Sequence, residues 1–104
     1  MGHNYVVNIC DLVSSTSTND DGDKVFSYIY DYIKHNKKIT LSFEGIYALN
    51  SSFVNSAFVE LLDHFPLKQI QTNLAFVNST KQINSLILKR FKEESISKQK
   101  AIAI

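Results

Sequence analysis

Apolar residues alternate along this chain between short dense runs and longer spaced stripes. The runs are residues 5–10 (YVVNIC), 39–43 (ITLSF) and 72–78 (TNLAFVN). They are rich in β-branched and aromatic residues and bounded by polar or turn-forming positions, the signature of strands. Between and after them come three stripes: Val25, Phe26, Ile29, Tyr32 and Ile33; then Phe53, Ala57, Phe58, Leu61, Leu62 and Phe65; then Ile83, Leu86, Ile87, Arg90 and Phe91. Spacings of three and four place each set on one helical face. The predicted order is β-α-β-α-β-α.

Local signals set the expected boundaries. Residues 14–23 (SSTSTNDDGD) form the most polar segment and read as a loop, with a helix starting at Asp20 or Asp21. Asp20, Asp21 and Asp23 suit the positive end of that helix, and Lys34, His35, Lys37 and Lys38 its negative end. The run 39–43 should turn at Glu44–Gly45 and lead into a helix over about 51–64, stopped by Pro66. Leu67 and Ile70 are expected to cover the bottom of the sheet. The continuously apolar interior of 72–78 predicts a strand covered on both faces. A third helix is expected over 79–94, capped by Ser79 in box spacing with Gln82, or by Asn78. Residues 95–104 carry weak order signals, and Ala101 to Ile104 could add an edge strand or dock into a partner. Right-handed crossovers make the second and third strands parallel. The expected fold is α/β: one small two-layer βαβαβα domain with a mixed or mostly parallel sheet, spanning residues 1–104.

Composition narrows the function classes. The chain has 104 residues and a formal charge of +1, so no broad attraction to nucleic acid or to a membrane surface is expected. No apolar run reaches membrane-spanning length, and the N-terminus lacks the basic-then-apolar layout of an export signal; a cytoplasmic location is expected. Cys10 stands alone, excluding an internal disulfide, and is expected as a small buried hydrophobe in a strand.

The residues offer no chemical constellation. His3, His35, His64 and Cys10 lack zinc-site spacing, and the acids at 20–23 lack the twelve-residue calcium pattern. Gly45 is isolated, so there is no phosphate-binding loop. Glu44 and Glu60 belong to different elements, and no serine has a recognisable histidine and acid around it. The expectation is no cofactor, no metal and no catalysis. One stretch stands out: Asn50–Ser51–Ser52–Phe53 lies just beyond a strand, at a helix start where backbone N–H groups favour an anion. A phosphoryl group on such a serine would add about two negative charges to the surface there, a binding switch. The plainer alternative is that one serine caps the helix while the other fills its first turn.

The stretch LSFEGIYALNSSFVNSAFVELL resembles the STAS-like domain family of unknown function found in bacteria and phages. The matching positions are Leu41, Phe43, Gly45, Ile46, Leu49, Ser51, Ser52, Phe53, Ala57, Phe58 and Leu62. The resemblance spans roughly residues 20–94, leaving 95–104 as a tail. More distantly, the layout is similar to the STAS anti-sigma-factor antagonists. In that group an Asp-Ser-Ser-Gly motif heads the second helix, and a partner kinase phosphorylates its second serine. The motif carries onto Asn50, Ser51, Ser52 and Phe53, so Asn50 replaces the acid and Phe53 the glycine. Ser42 and Ser56 stand where STAS-like relatives often have Asp and Glu.

The resemblance implies a non-catalytic, regulatory protein-interaction module whose partner could be a histidine-kinase-like ATPase. Its expected contact residues are Asn50, Ser51, Ser52 and Asn55, joined at the same sheet edge by Asn78, Ser79 and Thr80, with Ser52 or Ser51 as phosphorylation sites. Two alternatives stand beside it: a phage-type inhibitor of a host protein complex, and a structural module that forms homodimers or larger homo-oligomers.

Overall fold

The computed structural model describes residues 5–102. Strands β1 (Tyr5–Asn8), β2 (Ile39–Ser42) and β3 (Leu74–Val77) form one sheet in the order β1-β2-β3, all parallel. Tyr5, Ile39 and Leu74 share a row, as do Val7, Leu41 and Phe76. Ile39 and Leu41 are buried and Leu74 nearly so, and this face holds the core against the helices. The opposite face presents Val6, Thr40 and Ala75, then Asn8, Ser42 and Val77. It is open only at its flanks: Val6 is 60% exposed and Val77 38%, while Thr40 and Ser42 of the central strand are buried.

The α/β class, the parallel pairing and the two layers are as the hydrophobic pattern predicts. The first run departs from expectation. It stays extended only to Asn8 and then makes one helical turn, α1 (Ile9–Leu12). Ile9 points into the core, while Cys10 is exposed, correcting the reading of a buried strand thiol.

Helix α2 (Asn19–Lys34) is capped by Thr18 and not by an aspartate. Thr18 Oγ1 accepts from the Asp21 N–H at 3.1 Å and donates to Asp21 Oδ2 at 2.7 Å, so cap and third residue hold each other. Val25, Ile29 and Ile33 are fully buried along the predicted stripe. Tyr28 lies 5.6 Å from Tyr32, ring to ring, and the hydrogen bond its hydroxyl donates to Tyr32, helped by burial, holds that hydroxyl above the ordinary tyrosine pKa. The helix ends on Asn36 in the left-handed region (φ 57°), with Lys37 N donating to Tyr32 O.

After β2 the chain turns at Gly45, whose φ of +81° suits a residue without Cβ. Helix α3 (Ser51–Ala57) follows, and the single helix expected over 51–64 is broken. Phe58 leaves helical geometry (φ −124°, ψ −47°), and Val59–Asp63 continue as a 3₁₀ turn. An unbroken α-helix would put Val59 on the face of Ser52 and Asn55, three and four residues apart, which is exposed or half-buried. The break turns Val59 inward, to 6% exposure, beside Leu61 at 0%.

Pro66 starts a further short helix, α4 (Leu67–Asn73), which consumes Thr72 and Asn73 from the predicted third strand. Gln69 Nε2 donates to Ile33 O and Asn73 Nδ2 to Asn36 Oδ1, fastening α4 to the end of α2. Strand β3 is covered on one face only: Leu74 is buried and Ala75 exposed, against the expectation of cover on both.

Helix α5 runs Lys81–Ile102 and is capped by Thr80, whose Oγ1 accepts from Ile83 N at 3.1 Å. Neither Ser79 nor Asn78 caps it. Residues 95–102, expected as a weakly ordered tail, continue the helix, so Ala101 and Ile102 add no edge strand. Residues 1–4 and 103–104, which include the rest of the loose N-terminus and apolar tail, lie outside the described residues.

Candidate functional site

In a parallel sheet every strand delivers its following loop to the same edge, where ligands of such folds usually bind. Here that edge gathers the 13–18 loop after α1, the 43–50 loop after β2, and the 78–80 turn after β3. The first two are laced together. Thr16 Oγ1 donates to Ala48 O at 3.2 Å, and Asn50 Nδ2 donates to Ser17 O. The polar loop and the start of α3 therefore meet.

Asn50 has a second role. Its Oδ1 accepts from Phe53 N at 3.0 Å, which makes Asn50 the cap of α3. The alternative in which a serine caps the helix is thereby corrected. Ser51 and Ser52 occupy the first turn, both exposed, and neither hydroxyl has a hydrogen-bond partner among the described residues. Phe53 points inward at 0% exposure, edge-on to Phe58 with centroids 6.2 Å apart. Its bulk, which replaces the glycine of the resembling motif, is spent in the core and leaves the serines uncovered.

The division of labour has a measurable consequence. Asn50→Ala should cost about 1–2 kcal/mol in chemical denaturation, because it removes the cap and the tie to Ser17 together. Ser51→Ala and Ser52→Ala should each stay within about 0.5 kcal/mol of wild type.

The remaining candidates at this edge are committed to internal bonds. Asn55 Oδ1 accepts from Arg90 Nε at 2.9 Å, joining α3 to α5, and Arg90 Nη1 continues to Glu93 Oε1 at 2.7 Å. Asn78, at φ 56°, donates to Ser42 Oγ at 2.9 Å. Ser79 Oγ donates to Asn84 Oδ1 at 2.7 Å, and Thr80 holds the α5 cap. These four side chains shape the edge, while Ser51 and Ser52 are the ones left unengaged.

The two serines that stand where relatives often carry acids are structural. Ser42, 1% exposed, accepts from both Asn78 and Glu44 N. Ser56, 6% exposed, donates to Asn19 Oδ1 at 3.1 Å and so joins α3 to α2.

Sequence reasoning missed a pocket of about 240 Å³ between the 13–18 and 43–50 loops. It is lined by Cys10, Ser14, Thr16, Gly45 and Tyr47 among others. Tyr47 is 77% exposed, and Cys10 Sγ lies 3.6 Å from Glu44 O. The pocket exists because the turn of α1 brings Cys10 out over Gly45. A strand reading of 5–10 hides that.

The residues weighed for catalysis are not assembled. Glu44 sits at this edge, whereas His64 packs against Phe26 and Tyr30, with centroids 5.6 and 5.4 Å away. Among the described residues no group of three His, Cys, Asp or Glu converges as a metal site. No helix of the described chain is long and apolar enough to cross a membrane.

A parallel strand turning through a glycine into a helix headed by paired serines defines a STAS-like α/β domain. The family model described as a STAS-like domain of unknown function matches residues 21–84, and the chain belongs to that family. No curated protein and no solved structure gives a significant match.

Proposed function

We propose that this domain is a non-catalytic interaction module that works inside the cell and binds a regulatory protein through the edge formed by Asn50, Ser51, Ser52 and the 13–18 loop. The first candidate partner is a histidine-kinase-like ATPase, as the resemblance to the STAS group implies. One observation carries the reading. Asn50 takes over the capping duty, so two adjacent hydroxyls stand exposed at the mouth of a helix with no structural task. A phosphoryl group on Ser52 would be accepted locally, because the helix start favours negative charge, and would replace a neutral contact surface with a charged one. The partner would thus be held or released by a change that leaves the fold untouched.

The test is to incubate the protein with a kinase-like ATPase encoded beside it, and ATP, and to locate added phosphate by mass spectrometry. Phosphate on Ser52, absent from Ser52→Ala and accompanied by a changed affinity, is the expected result. Phosphate elsewhere, or none despite tight binding, would remove the assignment.

A further inference from the structure

The edge that carries the loop pocket has a one-sided charge. Residues 5–23 and 39–63, which build its first two loops and the helix starts behind them, contain no lysine, arginine or histidine. They do contain Asp11, Asp20, Asp23 and Glu44. All four are exposed, and none forms an ion pair among the described residues. The 78–80 turn is uncharged, and the first base after it is Lys81, at the start of α5. The chain as a whole is +1, so its bases are gathered elsewhere. Lys34, Lys37 and Lys38 stand where α2 ends and β2 begins, at the opposite end of the sheet. Such a surplus of carboxylates draws cationic groups to the edge and repels phosphate backbones and anionic lipid.

The pocket supplies shape to go with the charge. It holds about 240 Å³ between the two loops. Val13 and Ile46, both buried, give it an apolar floor, and Ser14 and Thr16 line it with hydroxyls. Tyr47 also lines it and is the most exposed large apolar side chain among the described residues. Its loop is held on both sides: Ile46 N donates to Phe43 O at 2.8 Å, and Thr16 Oγ1 donates to Ala48 O. A ring presented from a pinned loop has little freedom left to lose on binding. Tyrosines so placed are enriched among the residues that dominate interface energies. Glu44, next to Gly45 in the same turn, puts a carboxylate beside the pocket.

From this combination of an exposed ring, an apolar floor and unpaired carboxylates, we infer that the pocket receives an arginine side chain from a basic segment of the partner protein. The arginine stem lies over Val13 and Ile46, as long cationic side chains do on apolar surface. Its guanidinium stacks on Tyr47 and faces Glu44, a pairing that suits a planar cation better than a lysine ammonium. The inference rests on the reading of this edge as the partner-binding surface and adds the chemistry of what binds there.

An acetylated, amidated hexapeptide of alternating glycine and arginine is the probe, titrated into the full ¹⁵N-labelled chain and followed by amide NMR. The same peptide with citrulline for arginine keeps the shape, loses the charge and serves as the control. Expected are saturable shifts confined to residues 10–18 and 43–50, at millimolar peptide or below, and at least fivefold weaker binding of the citrulline peptide. Tyr47→Ala should lower the affinity for the arginine peptide at least fivefold and Glu44→Gln at least twofold, while Ser27→Ala on α2 leaves it unchanged. Tyr47, Glu44 and Ser27 are exposed, so the variants should fold, and their amide spectra establish this directly. Non-saturable shifts, shifts centred elsewhere, equal affinity for the two peptides, or a Tyr47→Ala variant that binds like wild type would each overturn the inference. A photo-crosslinker at position 52 in native cells separates the two readings. If it captures a partner while the arginine peptide fails to bind, the inference falls and the partner-binding edge stands; if it captures nothing, both fall.

Discussion

Phe58→Ala should cost about 3–5 kcal/mol of stability, the usual range for deleting a buried aromatic ring. Phe58 is fully buried at the break between α3 and the 3₁₀ turn. It sits 5.2 Å from Phe76, 6.2 Å from Phe53 and 6.4 Å from Phe43, ring to ring. It therefore links β3 and the residue just after β2 to the helical layer, and no single neighbour can refill its space. A domain of this size has roughly 5–15 kcal/mol in total, so the variant should be partly unfolded at room temperature if wild type lies at the low end. Thermal or urea denaturation measures it. A loss below about 1.5 kcal/mol would mean that the ring cluster is not the centre of the core.

Gly22→Ala is the second expected large effect, and its sign runs against helix propensity. Alanine in place of glycine inside a helix normally gains about 1 kcal/mol. At position 22 an added Cβ would lie 2.7 Å from Ser56 Cβ and 2.8 Å from Phe53 O, where α2 crosses α3. The second of these is backbone, so relief requires the helices to separate. Overpacking of this kind costs about 1–3 kcal/mol, and against the propensity gain the net expectation is a loss of up to about 2 kcal/mol. A larger side chain, as in Gly22→Leu, should open the α2–α3 seam altogether. Denaturation midpoints of the two variants give the answer, and a Gly22→Ala variant more stable than wild type would show the crossing to be looser than described.

Gly22 also illustrates what a linear pattern hides. In the sequence it sits among aspartates and reads as the end of a loop. Its role as the contact point of two helices depends on Phe53 and Ser56, more than thirty residues on. The same limit applies to the helix start. Aspartates at 20 and 21 are each acceptable caps, and only the chain's path selects Thr18, with Asp21 as its return partner. The α3 break was invisible for a related reason. Phe53, Ala57, Phe58 and Leu61 keep helical spacing, while the demand to bury Val59 as well comes from elements packed around them. Helix α4 offers only Leu67 and Ile70 as apolar markers within seven residues, too few to establish a period. The apolar run at β3 could not distinguish a strand covered on both faces from an edge strand covered on one.

What was legible was the middle. Ile39 to Phe43 followed by Gly45 and a serine-headed amphipathic helix carried both the fold class and the family. The candidate site was half legible. Ser51 and Ser52 stand at the helix start as expected, but their freedom follows from Asn50 capping α3, and the pocket by Cys10 and Tyr47 follows from a helical turn that the first apolar run masks. Asn55, Asn78, Ser79 and Thr80 are near the edge in sequence logic, yet the structure spends them on Arg90, Ser42, Asn84 and Ile83.

The most direct measurement places a photo-crosslinking amino acid at position 52 of the full chain in its native cells, with position 27, an exposed point on α2, as the control. Irradiation should join one discrete protein from position 52 and not from position 27, and the crosslink should disappear when Asn50→Ala loosens the helix start. Failure to crosslink from 52, or the same products from both positions, would contradict the assignment of this edge as the partner-binding surface.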